Sequence, residues 1–143
     1  MNAINSVLFT RAGWGITVLR IFIGIIFMAH GSQKLFGLFG GGGLAGTAQY
    51  MESLGLTPPT LMAALSGGAE FFGGLALVIG LLARPAALAL VGLLLVAIFS
   101  VHIGNGLFMA NNGYEFALAL LGGAIAVLVE GAGRASVDRM IAK

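Results

Sequence analysis

Four runs of about 20 predominantly apolar residues, joined by short corners and one longer loop, constrain this chain more than any single motif. Crossing a hydrocarbon core about 30 Å thick takes about 20 such residues, because a helix rises about 1.5 Å per residue and satisfies its own backbone where no water is present. The runs cover approximately residues 14–35, 58–82, 85–103 and 114–131. Only 8% of the chain is charged, against about 25% in a soluble domain. The expected fold is therefore all-α, a polytopic membrane four-helix bundle forming a single transmembrane domain over residues 1–143. The 24 glycines lie within Leu, Val, Ala and Phe runs, where small residues let backbones approach. Ala64 with Gly68, Ala69 with Gly73, and Ala119 with Gly123 are expected packing faces toward neighbouring helices or another subunit of a homo-oligomer.

Short cytoplasmic loops collect Lys and Arg. Arg11, Arg84, Arg134, Arg139 and Lys143 fall on one side of such a bundle and Lys34 alone on the other, so both termini are expected in the cytoplasm. Arg20 interrupts the first apolar run, and no small-residue cleavage site follows, which favours a retained helix over a signal peptide. Thr57 and Pro58 read as the cap and first turn of the second helix, and Arg84 with Pro85 as the corner before the third. In the first external loop, Leu44, Ala45, Ala48, Met51 and Leu54 follow Gly40 to Gly43 at helical spacing and close at Gly55. That pattern predicts a short amphipathic helix.

The informative residues are the polar ones. His30, His102 and Glu115 belong to three different apolar runs yet fall at similar depth, in the outer third. Gln33 and Lys34 extend this group toward water, and Asn105, Asn111, Asn112 and Tyr114 belong to the loop after the third run. Histidine titrates near neutral pH and burial raises a carboxylate toward it, so His30, Gln33, Lys34, His102 and Glu115 are candidates for ligand binding or proton exchange. The bland alternative is helix-to-helix hydrogen bonding, and for Glu115 an ordinary first-turn acid. Arg20 and Glu70 approach mid-membrane depth, where insertion of an Arg or Asp costs about 2.5–3.5 kcal/mol. An Arg20–Glu70 ion pair between the first two helices is the expected solution. Glu130 is expected to pair with Arg84 or Arg134, and the phenylalanines, Phe71 and Phe72 among them, to pack or face lipid.

Absence of cysteine excludes disulfides, iron–sulfur clusters and covalent c-type haem. No metal site is read from the sequence, and a b-type haem between His30 and His102 is disfavoured because Lys34 and Glu115 would crowd the porphyrin. The net charge of +2 reflects orientation rather than a nucleic-acid surface.

Five segments in order carry a resemblance: R-I-F-I-G-I-I-F-M-A-H-G-S-Q-K-L from Arg20, G-G-A-E-F-F-G-G-L-A-L-V-I-G from Gly67, V-H-I-G-N-G from Val101, N-G-Y-E from Asn112 and G-A-G-R-A-S-V-D from Gly131. Together they cover most of the chain and resemble the DoxX family of small four-helix membrane proteins. The resemblance implies a bacterial inner-membrane location and a connection with redox chemistry, since relatives include the membrane component of a thiosulfate:quinone oxidoreductase and partners of oxidative-stress proteins. Arg20, His30, Lys34, Glu70, His102 and Glu115 match the family's polar positions, and the resemblance assigns them no catalytic role. Lack of cysteine argues against thiosulfate chemistry on this subunit.

The leading expectation is a subunit of a redox-linked complex that binds a quinone or small ligand in the outer half of the bundle, with the lipid bilayer and protein partners around it. A cofactor-free scaffold that docks soluble proteins, or a small transporter or ion pathway, would use the same polar residues differently. No inverted repeat is evident.

Overall fold

The computed structural model describes residues 2–11 and 13–142, which form helices and turns with no strand among them. The long elements are α2 (Trp14–Phe36), α4 (Pro59–Ile79), α5 (Ala83–Ala97) and α6 (Glu115–Glu130), with α1 (Ala3–Leu8), α3 (Gly43–Ser53) and α7 (Val137–Ile141) shorter. A π turn at Ile98–His102 and a 3-10 turn at Ile103–Asn105 continue α5. Three helical stretches, Trp14–Phe36, Pro59–Ile79 and Ala83–Asn105, are long and apolar enough to cross a membrane. The fourth expected span is shorter than the others: α6 has 16 residues, about 24 Å at 1.5 Å each. Its start is set by the preceding loop, where the Tyr114 and Glu115 amides donate to the Gly106 and Leu107 carbonyls.

The helices form a ring in which α2 packs between α4 and α6, and α5 closes the other side. Ile23, Phe27, Leu77, Leu90, Leu94 and Val127 meet at its centre. Glycine sets the closest contact. A Cβ added at Gly74 would stand 2.7 Å from the Gly24 carbonyl oxygen, one at Gly67 would stand 3.1 Å from the Lys34 Cβ, and one at Gly31 would overlap the Phe71 backbone. These contacts fix the antiparallel register, with Gly24 level with Gly74 and Leu77, Gly31 with Phe71, and Lys34 with Gly67. Of the small-residue pairs read from the sequence, Gly73 and Gly123 do lie against side chains, Leu90 and Ile23. Ala64 and Gly68 do not: Ala64 is exposed, and a Cβ at Gly68 would meet nothing within 4 Å.

Two boundaries correct the sequence reading. Helix α4 starts at Pro59, not at Thr57–Pro58; Pro58 has extended backbone angles and occupies the cap, and the peptide joining it to Thr57 is cis. Proline at the first helical position loses no hydrogen bond. The corner between α4 and α5 is Gly80 to Leu82, while Arg84 and Pro85 already lie in the first turn of α5, where a missing amide proton is tolerated. Leu82 there adopts φ 51°, unusual for a non-glycine residue. Helix α3 buries Thr47 and Met51 and leaves Tyr50 exposed, lying over α4 and α2.

Candidate functional site

Polar side chains gather at both ends of the bundle, and among the described residues one buried side-chain atom, Glu70 Oε2, lacks a hydrogen-bond partner. At the end bearing the termini, Arg20 is fully buried. Its guanidinium donates to the carbonyls of Leu77 (2.6 Å) and Val78 (2.8 Å) in the last turn of α4, and to those of Ala132 and Ala135 in the tail. The last four carbonyls of a helix have no intrahelical partner and carry partial negative charge, so an arginine placed there is satisfied without a carboxylate. Arg84 treats α6 the same way, donating to Leu128 and Val129 at 3.0 Å each and to Val7 and Phe9. Asp138, also fully buried, accepts from the Leu82 and Ala83 amides at 2.7 and 2.9 Å and so caps the start of α5.

The expected Arg20–Glu70 ion pair does not form. In the glycine-set register Glu70 lies level with Gly31, and eleven residues of α2 separate Gly31 from Arg20, about 16 Å along the axis. Glu130 is exposed and makes no ion pair among the described residues, because Arg84 is occupied by carbonyls and Arg134 is exposed as well. Lys143 lies outside the described residues.

At the opposite end, Lys34 takes the place expected for Arg20. Its Nζ stands 2.9 Å from Glu70 Oε1 and donates to Ser66 Oγ at 2.8 Å. Ser66 and Glu70 are one helical turn apart and share a face of α4. The residue Glu70 is 8% exposed, and its second oxygen, Oε2, is buried with no partner. Lys34, Ser66 and Glu70 line a cavity of about 450 Å³ between α3, α4 and α5, together with His102. That volume lies within the range of small-molecule sites. The walls are apolar: Met62 and Leu65 from α4, Leu93 and Val96 from α5, and Met51 from α3. Ala89 and Gly92 keep the α5 side open, and a Cβ at Gly92 would meet nothing within 4 Å. At the rim, Leu65 and Val96 are 58% and 51% exposed, on the outer faces of two helices long enough to cross a bilayer.

The five candidate ligand residues from the sequence therefore separate. Lys34 and His102 line the cavity. His102 ends the π turn, a feature that wedges one extra residue into a helix and re-aims the side chains beyond it. Its Nδ1 lies 2.9 Å from the Asn112 carbonyl oxygen; a carbonyl only accepts, so Nδ1 donates there. His30, Gln33 and Glu115 are not among the lining residues. The His30 ring lies against Phe116 of α6, centroids 6.0 Å apart, and Gln33 donates to the Phe39 carbonyl. Equal depth did not bring them together, because the His30 ring lies against Phe116 of α6 while the cavity is lined from α3, α4 and α5 with Lys34 of α2. Ser66 and the free oxygen of Glu70 were missed; the four-residue spacing of Ser66 and Glu70, read with Lys34, was the available signal.

The DoxX family model matches residues 15–103, a segment that contains Lys34, Ser66, Glu70 and His102. The chain is 35% identical over 135 residues to "Inner membrane protein YqjF" of Escherichia coli (strain K12), covering 90% of this chain and 93% of that protein. It is 33% identical over 106 residues to "Putative oxidoreductase CatD" of Bacillus subtilis (strain 168), covering 74% and 72% respectively. An uncharacterized Haemophilus influenzae protein is 28% identical over 134 residues, covering 92% of this chain and 86% of its own length. No solved structure matches significantly.

Proposed function

This chain belongs to the DoxX family of small bacterial inner-membrane proteins, and we propose on that premise that it is the ligand-holding membrane subunit of a redox-linked system. The ligand is a quinone-type or similarly lipophilic small molecule seated in the cavity between α3, α4 and α5. One observation carries the reading: Glu70 lines a largely apolar cavity, and its Oε2 is buried without a partner. Orphaned buried acceptors are rare in folded proteins and are destabilising by about 1–3 kcal/mol unless something fills them. The Bacillus subtilis relative's name as an oxidoreductase supports the redox connection. In this reading Lys34, Ser66 and Glu70 hold the polar head, His102 faces it, and the apolar walls take the ring and chain. The same reading puts both termini in the cytoplasm, with α6 as a fourth, shorter span and the cavity in the outer half.

The test is quinone content. The full chain and Gly92→Phe are purified from membranes, their lipids are extracted, and quinone per protein is measured. The phenylalanine enters open space, so folding is retained while the cavity is filled. Wild type should carry close to one quinone per chain and Gly92→Phe far less. Equal content in both would remove the ligand-site reading and leave scaffold or transport in its place.

A further inference from the structure

The hydrogen-bonding inventory of the cavity selects among ligands. Lys34 has three ammonium protons, of which two are engaged by Ser66 Oγ and Glu70 Oε1. One remains. Ser66 accepts from Lys34 and keeps its own hydroxyl proton to donate. Against these donors stands one buried free acceptor, Glu70 Oε2. A ligand carrying only carbonyl oxygens can accept from Lys34 and Ser66, yet it leaves that acceptor unmatched. A hydroxyl matches both kinds, donating its proton to Glu70 Oε2 while its oxygen accepts from Lys34 or Ser66. A cationic amine would satisfy Glu70 but would sit beside the Lys34 ammonium, whose charge Glu70 already balances.

We infer that the site takes a lipophilic hydroxyaryl ligand, a hydroquinone or substituted phenol, in preference to the corresponding quinone. The ring lies at Lys34, Ser66 and Glu70, and the apolar substituent leaves past Leu65 and Val96 toward the acyl chains, so the ligand arrives laterally from the bilayer. This inference rests on the ligand-site reading above and adds to it the protonation and redox form of the occupant. A hydrogen bond to a charged group contributes about 1.5–3 kcal/mol, and the preference expected from Glu70 Oε2 is therefore on the order of ten- to a hundred-fold in Kd.

The experiment compares a decyl-substituted benzoquinol, held reduced under anaerobic conditions, with the same benzoquinone, by titration calorimetry on the full chain in detergent. Wild type should bind the quinol at least tenfold more tightly. Glu70→Gln replaces an acceptor by an amide that can donate, and the preference should shrink to within about threefold or reverse; the wild-type comparison stands even where that variant folds poorly. Gly92→Phe should abolish binding of both forms. Equal affinity for the two forms in wild type, with Gly92→Phe still blocking both, overturns the preference for the hydroxyl form and leaves the ligand site standing. Binding that Gly92→Phe does not reduce, or no binding of either form, overturns the site itself and the inference with it.

Discussion

Replacing Arg20 with methionine tests whether this arginine is a helix-end clamp rather than half of an ion pair. Methionine matches the apolar stem but leaves four carbonyls, those of Leu77, Val78, Ala132 and Ala135, without their donor. The bonds to Leu77 and Ala132 are fully buried, and those to Val78 and Ala135 are partly so. Counting only the two buried acceptors, each unsatisfied group is destabilising by about 1–3 kcal/mol, so the loss should be about 2–6 kcal/mol. Water reaching the other two carbonyls would offset their share. Arg20→Lys should recover less than half of the loss, because one ammonium cannot span the end of α4 and the tail as the guanidinium fork does. The discriminating measurement is a double-mutant cycle with Glu70→Gln, read as thermal stability of purified protein in detergent and as accumulation in the membrane. An Arg20–Glu70 pair would make the two effects strongly non-additive. With about 16 Å between their levels, they should add to within about 0.5 kcal/mol. A coupling above about 1 kcal/mol, or an Arg20→Met variant as stable as wild type, would refute the clamp.

The same cycle applied to Lys34→Met and Glu70→Gln should give clear coupling, since those side chains meet at 2.9 Å; additive stability changes would mean that the pair does not persist in the membrane. Asp138→Ala removes the acceptor for the Leu82 and Ala83 amides and should lower stability by about 0.5–2 kcal/mol, the usual range for a lost helix cap, and an unchanged melting temperature would show that the tail does not cap α5. Gly74→Ala should sharply reduce the yield of folded protein, because its Cβ would meet the Gly24 carbonyl at 2.7 Å, whereas Gly92→Ala should be neutral in the same expression assay. For topology, single cysteines at Gly42 and Asn111 should react with an impermeant thiol reagent on intact cells while one at Ala142 should not, and the reverse pattern would invert the orientation.

Helix content and the membrane environment were legible in the chain because both depend on properties local to the sequence. About 20 apolar residues in a row leave the backbone no solvent to bond with, and a helix is the conformation that satisfies it within one segment. The close-packing role of glycine was legible in kind, but Gly24, Gly31, Gly67 and Gly74 make the contact, while Ala64 and Gly68 face outward. Depth along each helix could also be counted, and it placed Lys34 and His102 at the end that holds the cavity. Depth says nothing about direction around the axis, and so it grouped His30 and Glu115 with them although His30 turns toward Phe116. Which charge meets which depended on the sliding register of α2 against α4, set by close contacts between residues about 33 to 50 positions apart in sequence. That register carried Glu70 to Lys34 and left Arg20 at the carbonyl end of α4, where the returning tail completes its coordination. No periodicity in either segment encodes the offset, because it arises only when the two surfaces are pressed together and the glycines choose where they fit.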